Sequence, residues 1–230
     1  MQAGPPDVRG DIKNLIEHGL QKEYSSRSSP DGPITGNSYQ SILLGDTTRD
    51  GFRSDRRPFL DQIDLMGKNV LDLGSNLGEL SRAARERGAA VVDGFEYDRF
   101  FLDIANLVNA YNRTTRVSFF QRDISDASSY REHYDIVLAF SVFTFINPVL
   151  GAIAKRTRHA IVIETHKLDD NLERDYLVSV AKFFPSYMRL GKSDWGVGLD
   201  ASANREMILF AKSEASLQSS LLARTTGSPS

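Results

Sequence analysis

The chain has 230 residues, 40% hydrophobic and 25% charged, the composition of one sizeable globular domain. Its 28 basic and 30 acidic side chains leave a net charge of −2, which excludes a global electrostatic footprint for nucleic acid or an anionic membrane. The absence of cysteine excludes disulfides, thiolate metal sites and cysteine nucleophiles. The opening MQAGPPDVRGDIKN lacks the apolar core of a signal peptide, and no run approaches the roughly 18 apolar residues of a membrane span. A soluble, cytoplasmic protein with no membrane partner is expected.

In chain order, a short helix is predicted from Asp11 to Glu23, followed by the Ser-, Pro- and Gly-rich stretch YSSRSSPDGPITGNSYQS (24–41), which reads as loop or lid. The segment TTRDGFRSDRR then places Arg49, Arg53, Arg56 and Arg57 in the one basic cluster of the sequence, either a solvated face or a patch for a phosphate or carboxylate on the substrate. Apolar, β-rich runs follow at 69–74, 90–96, 116–123, 135–141, 160–166, 187–194 and 206–212, with helical patterns between most of them. Runs apolar on both faces suit a parallel sheet covered by helices on each side. The helix from Glu79 to Arg87 is expected to bury Leu80, Ala83 and Ala84 and to turn Arg82, Arg85, Glu86 and Arg87 outward, with Gly88 as its stop. RFFLDIANLVNAY (99–111) spaces Phe101, Ile104, Ala105 and Val108 for a second helix. The connection VGLDASAN is too short for a crossover helix, so the last strand is predicted to run antiparallel. The fold expected is an α/β, doubly wound, mostly parallel seven-stranded sheet, with an N-terminal helix and lid at 1–58, the main domain at 59–213 and a flexible tail at 214–230.

Ligands of open α/β sheets bind at the carboxyl ends of strands, and VLDLGSNLGEL (70–80) is the turn from the first strand into its helix. Gly74 permits a tight turn, and the missing Cβ at Gly78 allows close backbone approach, although both glycines would also serve simple helix packing. The spacing is GxxxG and not the GxGxxG of a dinucleotide site, and Asp72 repels a pyrophosphate while attracting an ammonium group. In GFEYD, Glu96 is placed to accept both hydroxyls of a ribose, with Asp98 the alternative one pleat away. In QRDIS, Asp123 is placed to accept from an adenine amino group or to cap the next helix. Ribose, adenine and a cationic amino-acid end together describe S-adenosylmethionine. The ordered set LDLGSNLG, VVDGFEYD, QRDIS, YDIVLAFSVFTFI and AIVIETHKL resembles the class I S-adenosylmethionine-dependent methyltransferases over roughly residues 60–212. That resemblance implies Asp72, Gly74, Ser75, Asn76 and Gly78 around the methionyl part, Glu96 at the ribose, Asp123 and Ile124 beside the adenine with Tyr97 along its face, and Phe140 near the donor.

His166 and Glu164, at the end of the fifth strand, are the candidate catalytic residues, the first as general base and the second to orient an acceptor amine or hydroxyl; a solvent-exposed loop histidine is the plainer account of His166. Phe143 and Phe145 read as core before substrate wall. LDDN (168–171) resembles the acidic magnesium ligands of catechol-type O-methyltransferases, but Ser141 stands where that family has an aspartate, and a helix cap is the default, so no metal is assigned. Tyr24, Tyr39 and Arg53 are assigned to the acceptor pocket. The expected activity is methylation of an oxygen or nitrogen of a small molecule, as in secondary metabolism, by in-line displacement that depends mainly on positioning. The alternatives are a tRNA wobble-uridine type RNA methyltransferase, opposed by the charge balance, and a non-catalytic donor-binding protein.

Overall fold

The apolar runs assemble into one seven-stranded sheet: β1 Asn69–Leu73, β2 Val91–Glu96, β3 Val117–Gln121, β4 Tyr134–Phe140, β5 Thr157–Glu164, β6 Ser186–Ser193 and β7 Arg205–Ala211. The structure is a computed structural model and describes residues 8–26, 28–29, 32–33, 39–51, 53–165, 177–193 and 205–222. The strand order is β6-β7-β5-β4-β1-β2-β3, and β7 runs antiparallel to both of its neighbours. The chain moves outward from β1 through β2 to β3 and then returns to place β4 on the other side of β1. That reversal opens a crevice at the carboxyl ends of β1 and β4, where open α/β sheets receive ligands.

Alternation along the strands divides the core. Val70, Val92, Ile136 and Val162 pack with Leu80, Ala83 and Ala84 of α2 (Glu79–Glu86) and with Leu102 and Ala105 of α3 (Arg99–Asn112). On the opposite face Leu71, Leu73, Val137 and Ile161 meet Phe143 and Ile146 of α4 (Phe143–Ile146) and Leu150 and Ile153 of α5 (Leu150–Arg156). A third cluster joins Ile16 and Leu20 of α1 (Val8–Ser26) to Ile42 and Leu44 of a short hairpin and to Phe101, Ile104 and Val108 of α3. The N-terminal helix therefore packs on the sheet-covering layer.

Two expectations are corrected. Arg82 faces inward: it is 8% exposed, and its guanidinium donates to the Leu77 carbonyl at 2.7 Å. Residues 214–222 are not a loose tail, because α6 (Glu214–Ser219) follows a Ser213 N-cap and buries Leu217 in the same cluster as Val70 and Leu209. Ile63 bridges Leu221 in antiparallel fashion, which ties this helix back under β1. Leu217→Ala is expected to cost about 2–4 kcal/mol, read by urea denaturation; an unchanged midpoint would return the segment to the role of tail.

Candidate active site

Glycine conformations shape the turn after β1. Gly74 has φ +70°, and a Cβ there would lie 2.6 Å from a methyl of Val142, so the backbone passes close under the tip of β4. Gly78, at φ +78°, precedes α2, and a Cβ on it would lie 2.2 Å from the Phe119 ring. Its missing side chain thus serves the packing of α2 on the sheet. The amides of Gly74 and Ser75 donate to the Phe95 carbonyl at 2.9 and 3.0 Å, which fixes the turn to the end of β2.

Glu96 completes that fixation. One carboxylate oxygen accepts from the Asn76 amide at 2.7 Å and the other from the Asp98 amide at 2.8 Å, so one side chain holds the glycine turn and the strand tip together. Burial pushes the Glu96 carboxyl up against the opposing pull of these amides. Asp98 accepts from the Phe100 amide at 2.8 Å as the N-cap of α3, and Glu96, not Asp98, faces the crevice.

The crevice is a cavity of about 480 Å³. Gly74, Asn76, Glu96 and Tyr97 line one part, Asp123, Ile124 and Phe140 a second, and Tyr39, Arg56, Ser141, Val142 and Phe145 a third. Asp123 closes an Asx turn onto the Ser125 amide at 2.9 Å, while Asp126 caps the short 3-10 turn Ala127–Ser129. Asp72 and Ser75 lie beneath the lining, at 2% and 0% exposure. The Ser75 hydroxyl and the Asn76 side-chain carbonyl are buried and have no hydrogen-bond partner among the described residues. Such atoms are what a polar ligand would satisfy. A larger cavity of about 660 Å³ lies at Ser41, Arg57, Arg82 and Arg85, but none of the glycine-turn residues lines it.

The third part is backed by a buried ionic network. Glu164, at 0% exposure, accepts from Arg53, from Arg56 at 2.5 Å, from the Ser193 hydroxyl at 2.7 Å and from the Ser141 hydroxyl at 2.5 Å. Arg205 also donates to Ser141. Ser141, the residue after β4, holds φ +60°, a left-handed conformation that costs a non-glycine residue roughly 1 kcal/mol or more. Its bonds to Arg56, Arg205 and Glu164 hold it there.

A family model described as a methyltransferase domain matches residues 70–161, which run from β1 into β5. Over residues 70–161 the chain is thus similar to the methyltransferase-domain family, and the match takes in the glycine turn, Glu96 and Asp123. Two curated relatives, both ubiquinone biosynthesis O-methyltransferases of Neisseria meningitidis, are 24% identical over 138 residues (serogroup C) and 26% identical over 137 residues (serogroup A). Each match covers 57% of this chain, and the chain spans only 58% of the length of either relative. In fold, the chain is similar to the bifunctional kinase-methyltransferase WbdD, with TM-score 0.62 and 19% identity over 78% of this chain and 44% of that one. It is also similar to the magnesium protoporphyrin IX methyltransferase of Synechocystis PCC 6803 with bound SAM, with TM-score 0.51 and 10% identity over 92% of this chain and 87% of that one.

Two sequence assignments at this site are corrected. Glu164 does not reach the cavity: burial alone would raise its carboxyl, but Arg56, Arg53 and the Ser141 hydroxyl together hold it down at about 2, so it is a permanently ionised anchor and a poor base. Arg53 is 1% exposed and engaged with Glu164 and with Asp55 at 3.0 Å, behind the cavity wall. Arg56 and Ser141 line the wall instead, and the site assignment from sequence missed both. Tyr39 is on the wall; the Tyr24 side chain, His166 and LDDN lie outside the described residues. Among the described residues there is no group of three or more metal-ligating side chains, and no helix is long and apolar enough to cross a membrane.

The two buried acids titrate with opposite sign. Burial raises Asp72 from 3.8 to about 6 against the hydroxyl of Ser81, so its contribution to stability is full below pH 3.8 and lost as pH rises through about 6. Asp72→Asn should therefore stabilise the protein at pH 7.5 by on the order of 2 kcal/mol, a gain that fades below about pH 4 in urea titrations. Glu164, lowered from 4.5, stabilises above that pH and loses its contribution only as pH falls through about 2. Glu164→Gln should cost about 3–5 kcal/mol at neutral pH, since it leaves buried arginines without their counter-charge. Reversed signs in the two variants would contradict this assignment.

Proposed function

We propose that this protein transfers a methyl group from S-adenosylmethionine to an oxygen or nitrogen of a small molecule. The observation that carries the proposal is the wiring of the cavity. Glu96 is fixed by two backbone amides yet faces the cavity, beside the Asn76 side-chain carbonyl, which has no partner among the described residues. A carboxylate held this way keeps lone pairs for a pair of hydroxyls, as a ribose presents. Asp72 under the turn offers negative charge to an ammonium group, and Ile124 with Phe140 and Tyr97 offers apolar surface to an adenine.

The donor supplies a methyl group already activated by the sulfonium charge, so the protein's task is to hold two molecules in line and keep water out. Tyr39, Arg56, Ser141, Val142 and Phe145 form the remaining wall, which we assign to the acceptor side. The small-molecule reading draws support from the name of the curated relatives, and the net charge of −2 argues against an RNA substrate. His166, which follows the end of β5 by two positions, remains our candidate for the base that takes the acceptor's proton. Its replacement by alanine should lower turnover about 10²-fold with donor affinity unchanged and should abolish the acid limb of the rate profile; a variant within about threefold of wild type removes it from the mechanism.

The donor site itself is tested without an acceptor. Wild type should bind S-adenosylhomocysteine in the micromolar range by calorimetry, and Glu96→Ala should weaken it by about 2 kcal/mol, whereas Asp98→Ala should lower stability through loss of the α3 cap and leave affinity nearly unchanged. A large affinity loss in Asp98→Ala with none in Glu96→Ala would overturn the assignment.

A further inference from the structure

Arg56 differs from the other arginines of the buried network. It is 2% exposed yet contributes to the cavity wall, whereas Arg53 lies behind it. Its Nε and Nη2 are committed: Nε lies 3.3 Å from Glu164 Oε1, and Nη2 donates to Glu164 Oε2, to the Ser141 hydroxyl at 2.5 Å and to the Tyr39 hydroxyl at 2.9 Å. Nη1 has no hydrogen-bond partner among the described residues. The Tyr39 ring lies under the same guanidinium, 5.1 Å from its central carbon. One edge of the fork is thus locked by a buried carboxylate, and the other carries unused donors on the cavity wall.

We infer that the Nη1 edge of Arg56 is a preorganised seat for an oxyanion, a carboxylate or phosphate group of a molecule bound in this cavity. Charge favours it. Arg53, Arg56 and Arg205 all converge on Glu164, which is hidden behind the wall, and Arg56 also lies within electrostatic reach of the buried Asp72. The cavity on this side therefore meets donors and positive charge. Locking by Glu164 removes most of the rotamer entropy that a free arginine would lose on binding and fixes the direction of the two Nη1 donors, which a lysine without the fork would not keep. Glu164 acts here through Arg56, as a positioning residue.

The identity of the occupant rests on the methyl-transfer reading, under which the same chemistry has two sources: the amino-acid carboxylate of the donor, or an anionic group on the acceptor. Calorimetry on the full chain separates them. One arm compares S-adenosylhomocysteine with 5′-methylthioadenosine, which lacks the amino-acid end, in wild type and Arg56→Gln. The other titrates benzoate and phenyl phosphate, with neutral benzamide as control, into free and S-adenosylhomocysteine-loaded protein.

Loss of about tenfold or more for S-adenosylhomocysteine in Arg56→Gln, with methylthioadenosine unchanged, places the donor's carboxylate in the seat. Loss of benzoate or phenyl phosphate binding with S-adenosylhomocysteine unchanged places the acceptor there. If the variant alters neither arm, or weakens both nucleosides equally, the seat is overturned. Arg56→Lys, which keeps the charge without the fork, guards against a folding defect in the glutamine variant and should still lose about threefold or more; wild-type affinity in that variant also overturns the inference. Should wild type bind neither nucleoside, the proposed function falls, while the benzoate and phenyl phosphate titrations of free protein still decide the seat.

Discussion

A carboxylate withdrawn from water at the end of β5 has to be matched by positive charge, and Glu164 sets the terms for the face of the sheet around it. Its partners come from far along the chain: Arg53 and Arg56 precede β1, Ser141 follows β4, Ser193 ends β6 and Arg205 begins β7. Satisfying one charge therefore draws the segment before β1 across the carboxyl ends of the strands. Tyr39 comes with it, since the Arg53 amide donates to the Tyr39 carbonyl at 3.1 Å. Gln40 and Ser41 fasten the same segment to Glu79 at the start of α2, through bonds of 3.0 and 2.8 Å. The wall facing the glycine turn is built in this way from residues outside the strand-helix repeat.

The parts of the fold that were legible are those governed by local rules. Strands covered on both faces must be apolar throughout, and a turn that passes under Val142 requires glycine at position 74, so the sheet and the β1 turn could be read from residue type and spacing. Choosing between Glu96 and Asp98 required knowing which acid was consumed elsewhere, and the α3 cap answers that. Non-local pairing was not legible. Arg82 reads as solvated because it is charged, yet its aliphatic stem can be buried and its guanidinium meets a backbone carbonyl at the start of its own helix. The tail after Ser213 has the polar composition of a loop, while its few leucines do the packing. Alternation placed Glu164 on a face of the sheet but did not reveal three arginines waiting there. The signal for two of them was their spacing: Arg53 stands at the N-cap position and Arg56 falls within the 3-10 helix Ser54–Gln62, where residues three apart share a side.

The site is costly to the free protein. It holds an acid at Asp72 that burial drives toward neutrality, a serine in the left-handed region at 141 and two buried polar atoms at Ser75 and Asn76 without partners among the described residues. Each is a destabilising feature of a kind found where structure is held ready for a ligand, and each is paid for by the apolar layers on both sides of the sheet. The same economy explains why the anchor acid and the cavity acid differ. Glu164 is ringed by arginines and stays ionised behind the wall, whereas Glu96 is held by two amides and faces the cavity with capacity to spare.

The central claim is that the cavity between the β1 turn and the β4 tip receives the donor nucleoside. A crystal structure of the S-adenosylhomocysteine complex tests it most directly. The account predicts the ribose hydroxyls on the Glu96 carboxylate, the adenine beside Asp123 and Ile124, and the amino-acid end over the turn at Gly74 to Asn76, with the Ser75 or Asn76 side chain acquiring its missing partner. Density for the nucleoside in the larger cavity beside Arg82 and Arg85, or in the β1 cavity with Glu96 untouched, would contradict it.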